Sequence, residues 1–319
     1  MGAQILEHRR IFFTGGSGVI GLELVPRLVE SGATVLVGDL KPEPAVFSGR
    51  VSYRRGDLNG ITLEEVNDFE PQIIIHLAAT FERSNESLDF WKENFHHNVT
   101  LTHHLMTLAQ DCPSIARVVF ASSYLVYDQD LYQFSQPQKI ATRLQEGDRL
   151  NPRNLTGMAK LAAEVELNFL SQFPECNFST VAARITRGYG RNSRDVISRW
   201  VRALIRGQSI SVFRREGIFD YIYAADSAEG LIRLAAKEEI TGPINLGTGR
   251  SRSVAEVLTI LEREFCNSVV VVEDSAIAYE ASEANIERLV SLTGWSPEYD
   301  LERGIIEIIE HERQQFLAR

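Results

Sequence analysis

The sequence predicts an α/β fold, a doubly wound parallel sheet with a smaller, interwoven C-terminal lobe, and three observations carry that expectation. Short apolar runs rich in β-branched residues alternate with helical patterns through the first half of the chain. The first of them, Ile11 to Phe13, runs into Thr14-Gly15-Gly16-Ser17-Gly18-Val19-Ile20-Gly21 and then a helical pattern over Leu22 to Val29. A second run, Thr34 to Val37, ends in Gly38-Asp39, roughly 20 residues beyond the glycines.

A strand, a glycine turn and a helix in that order make a dinucleotide site of the Rossmann type. Gly15 permits the tight turn, Gly18 admits a pyrophosphate to the backbone, and Gly21 lets the helix lie close on the sheet. The helix start at Ser17, Val19 and Ile20 offers N–H groups and the positive dipole end to the phosphates. Asp39 is placed to accept hydrogen bonds from an adenosine ribose and to repel a 2′-phosphate, so NAD is expected rather than NADP. Further strands are expected at Val51 to Arg54, Ile73 to Leu77, Arg117 to Ala121 and Ser179 to Arg184. After Arg184 the pattern loosens through glycines 188, 190, 207 and 217, then Asn245-Leu246-Gly247-Thr248-Gly249, and closes with a helix from about Leu301. The expected division is an NAD-binding domain of residues 1–184 with about 219–248, and a substrate lobe of about 185–218 with 249–319.

With 319 residues, 44% hydrophobic and 24% charged, the chain has the length and composition of a globular protein with a substantial core. Its formal net charge of −10 and the lack of any long basic run make nucleic acid and anionic membranes poor partners. No apolar stretch approaches membrane-spanning length and no signal-like apolar segment precedes the glycine turn, so a cytoplasmic location is expected. Cys112, Cys176 and Cys266 are odd in number and far apart, which predicts reduced, buried thiols.

An ordered series of segments resembles the extended short-chain dehydrogenase/reductases, the group of nucleotide-sugar epimerases and dehydratases. Beyond the glycine turn and Asp39, the series runs through Gly56-Asp57-Leu58, His76-Leu77-Ala78-Ala79, Asn98-Val99, Ala121-Ser122-Ser123 and Val126-Tyr127. It continues with Lys160-Leu161-Ala162-Ala163-Glu164, Tyr189-Gly190, Asp220-Tyr221-Ile222-Tyr223 with Asp226, the Asn245 to Gly249 segment and Gly294-Trp295-Ser296-Pro297. The resemblance implies that Asp57 and Leu58 flank the adenine and that Leu77, Ala78, Ala79 and Asn98 belong to the cofactor site. It implies that Lys160 meets the nicotinamide ribose and that Ser123 holds the reacting oxygen. The implied chemistry is a transient oxidation of a sugar carbon by NAD.

Two departures bear on that chemistry. The segment Pro152 to Lys160 places Thr156 where the family carries its tyrosine base, four residues before the lysine. An aliphatic hydroxyl orients a substrate but has no anion accessible near neutral pH, unlike a phenol of pKa about 10. Tyr124, beside Ser123, is the nearest titratable candidate for the missing base, and packing against the substrate lobe is its other reading. The positions of the dehydratase acids hold Tyr124 and Leu125, which argues against an ordinary dehydratase. Phe219 stands where an arginine often binds the diphosphate, leaving Arg184, Arg187 and Arg215 as candidate replacements. Glu82, after the fourth strand, is a further substrate candidate.

His96, His97, His103 and His104 sit on an expected helix from Leu88 to Ala109, but pairs two turns apart with no neighbouring Cys or carboxylate predict no metal site. In the resembling family this helix and the one carrying Lys160 form a dimer interface. Apolar Leu101, Leu105 and Leu108 and Leu161, Val165 and Phe169 lie at helical spacing, which fits a homodimer or a monomer core. The expected function is an NAD-dependent enzyme acting on a nucleotide-linked sugar, with epimerisation preferred. A sugar dehydrogenase or reductase and an atypical dehydratase are the alternatives within the class, and an NAD-binding sensor or scaffold is the rival outside it.

Overall fold

The computed structural model describes residues 5–81, 86–266, 271–274 and 278–318. Seven parallel strands form the central sheet: β1 (Arg10–Thr14), β2 (Thr34–Asp39), β3 (Ser52–Arg55), β4 (Ile73–His76), β5 (Arg117–Ser123), β6 (Ser179–Ile185) and β7 (Gly242–Leu246). Their order across the sheet is β7-β6-β5-β4-β1-β2-β3, so the chain steps outward from β1 in one direction and then reverses past it. The reversal opens a crevice at the carboxyl ends of β1 and β4, where doubly wound sheets bind ligands. The six expected strands occur within a residue or two of their bounds, and β7 is the seventh.

Alternating side chains explain why the runs inside the sheet are apolar throughout. Ile11 and Phe13 point to one face, with Val35, Ile73, Ile75 and Val119, and are covered by Leu24, Val25 and Leu28 of α1 (Val19–Glu30). Phe12, Ile74, Val118 and Phe120 point to the other, into a core closed by Leu105 of the helical segment before β5 and by Ala163 and Leu167 of the segment before β6. A strand buried on both faces has no polar side to show, as parallel sheets require.

After β3 come α2 (Leu63–Phe69) and then one long helical rod in three parts: α3 (Leu88–Asn94), a π-helical turn (Phe95–Thr100) and α4 (Leu101–Asp111). α5 (Leu155–Leu170) packs beside the rod. α6 (Val196–Ile205) precedes α7 (Ala224–Ala235), which lies against α1 on the opposite face of the sheet from α5. α8 (Val254–Glu264) and α10 (Leu301–Leu317) join α6 in a separate core of Ile197, Trp200, Val257, Leu261, Ile305 and Ile308. α9 (Glu287–Thr293) instead sends Leu289 into the core of the sheet.

Two buried carboxylates stitch the lobe to the sheet. Asp220 accepts hydrogen bonds from the backbone N–H groups of Thr248, Gly249 and Ala284, and Asp226 from those of Glu298 and Tyr299. The cysteines carry no disulfide; Cys112 is buried, but Cys176 is only partly covered and Cys266 is exposed, so burial holds for one thiol rather than three. Among the described residues no helix is long and apolar enough to cross a membrane.

Candidate active site

A cleft of about 530 Å³ runs from the glycine turn over the ends of β1, β4, β5 and β6 to the start of α6. Its walls include Gly15, Gly18, Val19, Ile20, Gly21, Leu77, Ala79, Ser123, Tyr124, Arg153, Thr156, Lys160 and Arg187. Gly15 adopts a φ of 86°, and a Cβ there would meet the backbone nitrogen of Ala78 at 2.8 Å, so only glycine allows β1 and β4 to close on each other at this point. Gly18 is the N-cap of α1 and supplies no side chain to satisfy the first N–H groups, which leaves them for phosphate oxygens. Asp39 Oδ2 accepts the Ser17 N–H at 2.8 Å and Oδ1 that of Lys41 at 2.9 Å, fixing a carboxylate at the end of β2 beside the turn. This cradle fits the diphosphate and ribose of NAD.

Three expected cofactor residues also hold the fold around the cleft. Leu58 is buried with Phe12 and Ile61, so its side chain belongs to the core. The Asp57 carboxylate accepts from the Asn59 N–H at 2.9 Å and lies 2.6 Å from His96 Nε2. Burial would raise its pKa, but those hydrogen bonds outweigh it and bring the group down to about 2. Asn98 is also buried: its Oδ1 accepts the Thr80 N–H at 2.7 Å and its Nδ2 donates to the Thr80 carbonyl at 3.0 Å, so it shapes the segment after β4 from behind. Ala78 donates its N–H to Thr14 Oγ1, and Thr14 also lies 2.7 Å from His76 Nδ1, which aligns the same segment from β1.

The reacting side of the cleft is assembled from β5 and α5. Ser123 ends β5, and its Oγ accepts the Leu125 N–H at 3.2 Å, which turns the chain there. Asn154 caps α5 by accepting the Gly157 N–H at 2.8 Å. A Cβ at position 157 would lie 2.5 Å from the Leu125 carbonyl, so glycine lets α5 start directly against the turn that follows Ser123. Thr156 and Lys160 then face the cleft one turn apart. Thr156 Oγ1 is buried and has no hydrogen-bond partner among the described residues. Lys160 is buried with its ammonium 4.6 Å over the Phe120 ring. Burial lowers its pKa to about 8, with Glu164 opposing the shift.

Tyr124 lines the cleft beside them, but burial and the nearby Glu280 carboxylate raise its pKa above the ordinary phenol value. Its oxygen accepts from Arg153 Nη2 at 3.2 Å. A phenol held in its protonated form is the reverse of what a base needs.

Of the three arginines expected to replace one at position 219, only Arg187 lines the cleft, with Cζ 4.0 Å above the Phe219 ring. Arg184 is buried in the fold, where Nη2 pairs with Glu164 Oε2 at 2.7 Å and the guanidinium covers the Tyr127 ring, so it serves structure. Arg215 lies outside the cleft walls. Glu82 falls outside the described residues. Sequence reading missed Arg153 and Glu280, which pair at 2.8 Å across 127 residues of chain; Arg153 stood in the quoted Pro152 to Lys160 segment, but nothing local pointed to its partner. The carboxylate not found near the histidines is Asp57, which with His96 and His97 places three ligand-type atoms within 4.8 Å of one another. His103 and His104 turn elsewhere, to Glu166 and to the Ile61 carbonyl.

A doubly wound sheet with this glycine turn, a carboxylate at the end of β2, and a serine and lysine over the same cleft is the arrangement of an NAD-dependent enzyme. Residues 11–247 match the NAD dependent epimerase/dehydratase family, and the chain belongs to it. The Escherichia coli dTDP-4-dehydro-6-deoxyglucose reductase is 25% identical over 95% of this chain and 97% of its own length. The dTDP-L-rhamnose 4-epimerase of Burkholderia thailandensis is 23% identical over 96% and 95%. Among solved structures, MoeE5 in complex with UDP-glucose and NAD superimposes with a TM-score of 0.84 at 27% identity, covering 96% of this chain and 99% of that one. NAD is the cofactor of this family.

Proposed function

We propose that this chain is a nucleotide-sugar epimerase that works through a transient ketone at one sugar carbon. The observation that carries the reading is the convergence of Ser123, Thr156 and Lys160 on the wall of the cleft that begins at the glycine turn. Bound NAD supplies the acceptor and donor of a hydride. Ser123 holds the reacting oxygen, and Thr156 Oγ1, buried and without a partner among the described residues, receives the sugar O–H and passes its own proton on to Lys160 through an intervening water, since the two side chains share no direct hydrogen bond. Lys160, with its pKa near 8, has an appreciable neutral fraction close to physiological pH and takes that proton; the same path returns it when the ketone is reduced from the other face. Tyr124, kept as a phenol, donates a hydrogen bond rather than accepting a proton. Leu125 has no proton to transfer, which disfavours elimination of water.

The partner expected of the chain is a second copy. The stripe Leu101, Leu105 and Leu108 is spent on the internal core, but Leu88, Trp91 and Phe95 on the rod and Val165 and Phe169 on α5, which packs beside it, are exposed. We assign this face to a homodimer.

The test is to incubate the NAD-loaded protein with a panel of UDP- and dTDP-hexoses and read the sugar-ring protons by NMR. Interconversion of one pair of epimers without net reduction of NAD is the expected result. Stoichiometric accumulation of reduced nicotinamide would make the enzyme a dehydrogenase. Ligand-induced rises in Tm with no chemistry on any sugar would leave the sensor reading.

A further inference from the structure

Two guanidiniums on the cleft wall have no task in the hydride and proton steps. Arg153 reaches in from the segment before α5, with Nη1 2.8 Å from Glu280 Oε2, Nη2 3.2 Å from the Tyr124 phenol oxygen, and Cζ 5.4 Å above the Tyr132 ring. Arg187 follows β6, with Cζ 4.0 Å over the Phe219 ring. Glu280 is buried behind Arg153, outside the cleft walls, and receives the Ser282 hydroxyl at 3.0 Å. One carboxylate therefore stands behind two guanidiniums, and Arg187 has no carboxylate within ion-pair distance among the described residues.

The imbalance is local and runs against the whole molecule. Among the described residues, a chain of net charge −10 lines this cleft with Arg153, Arg187, Lys160 and Arg199 against a single acid, Asp195, whose carboxylate is already engaged in capping α6 at the Ser198 N–H and hydroxyl. Removing a cation from water without a counter-charge is costly, so a half-buried guanidinium facing a cavity is a site for an anion. Both guanidiniums flank Tyr124, the residue after Ser123, so the anion they hold lies beside the reacting carbon. Arg187 is further backed by the Phe219 ring, and its guanidinium is a planar fork, the shape that pairs with a carboxylate.

We propose that Arg153 and Arg187 form a carboxylate-binding subsite beside Ser123, and that the substrate is an acidic sugar rather than a neutral hexose. This rests on the sugar-modifying reading above. Arg187 makes the contact with the free anion, and the Glu280 pair sets the orientation of Arg153 next to it.

Calorimetry on the NAD-loaded protein tests it with UDP, UDP-glucose and UDP-glucuronic acid as probes. The acidic sugar nucleotide is expected to bind at least about tenfold tighter than UDP-glucose. Arg187→Gln should erase that preference while leaving NAD binding and the melting temperature as in the parent. Equal affinity of the parent for the two sugars overturns the proposal. So does an Arg187→Gln variant that loses UDP affinity as strongly as UDP-glucuronic acid affinity, because the guanidinium would then serve the diphosphate. If no nucleotide binds, the nucleotide reading fails separately, and free glucuronate against free glucose carries the test. A thermal shift with the uronate alone, absent in Arg187→Gln, sustains the subsite, and no difference between uronate and hexose sinks it.

Discussion

Thr156 concentrates the chemistry of this site in one hydroxyl. The residue is buried at the start of α5 with its oxygen unpaired among the described residues, an arrangement that costs stability and is tolerated where a ligand completes the bond. Thr156→Val keeps the shape and removes the oxygen, so it should fold at least as well as the parent and lower turnover by about 10²-fold, while Thr156→Ser retains most of the rate. Steady-state kinetics on the two variants decide the point, since a fully active valine variant leaves no relay. If Lys160 is the terminal base, kcat/KM should climb with pH by up to tenfold per unit and level off near about 8, where the amine is neutral. A flat profile from pH 6 to 9 would remove Lys160 from that role. Asp39 governs the other end of the cleft: NAD should bind at least about tenfold tighter than NADP, roughly 1.4 kcal/mol. Asp39→Ala should narrow the ratio, both by relieving repulsion of a 2′-phosphate and by releasing the Ser17 N–H it holds. Calorimetry with the two dinucleotides gives the ratio directly, and equal affinities in the parent would refute the assignment. These residues were legible because each belongs to a short segment whose spacing is dictated by one turn of helix or one strand end. Arg184 misled for the opposite reason: an arginine's sequence neighbours do not reveal that Glu164, on another element, has claimed it.

Among the elements, the rod before β5 departs furthest from its expected form. Its π-helical turn at Phe95–Thr100 adds a residue to the helical repeat, so the faces of α3 and α4 are rotated relative to a continuous helix. Periodicity over Leu88 to Ala109 cannot register that shift, and the stripe of Leu101, Leu105 and Leu108, which fitted a partner or a monomer core equally, is internal. The turn also places Asn94 and Asn98 in one hydrogen-bonded line, with Asn94 Nδ2 donating to the Leu155 carbonyl at 3.1 Å and Asn98 holding Thr80. The rod thereby ties the start of α5 to the segment after β4, two walls of the same cleft. β7 was hidden differently: its residues were visible as the approach to Asn245-Leu246-Gly247, but a five-residue strand after a loosened pattern is recognised only when β6 is there to pair with it. The exposed face made by Leu88, Trp91, Phe95, Val165 and Phe169 predicts a particle of about twice 35.9 kDa in light scattering at micromolar concentration. Phe169→Asp, in a residue 58% exposed in the single chain, should shift it to monomer without lowering monomer stability by much. A parent that elutes and scatters as a monomer rules the dimer out.

Across the whole molecule, the alternation of strands and helices was legible because a parallel sheet must be apolar on both faces, and that constraint writes itself into the inner runs from Ile11 to Ala183, while the edge strand β3 is polar and part-exposed. The interweaving of the lobe was visible only as motifs without a purpose, until Asp220 and Asp226 proved to fasten segments that are distant in sequence. Buried polar groups of this kind also fix how the fold responds to acid. His76, at the end of β4, lies fully buried between Thr14 Oγ1 at 2.7 Å and Thr102 Oγ1 at 3.0 Å. Burial, aided by the nearby Lys160 charge, lowers its pKa from 6.5 to about 3. The folded chain therefore keeps this imidazole neutral where the unfolded chain protonates it. The stabilisation is complete above about pH 6.5 and is lost progressively as pH falls toward 3, because the unfolded state binds the extra proton in that window. Below pH 6 the loss from this one group approaches about 1.4 kcal/mol per pH unit. Between pH 5 and 6.5, above the ordinary carboxylate range, denaturant unfolding should show that slope in the parent and a shallower one in His76→Gln. The amide can still bridge the two threonine hydroxyls but cannot take a proton. Identical slopes for the two proteins would show that the imidazole is protonated in the folded state and that the Thr14–His76–Thr102 line is rebuilt around a cation.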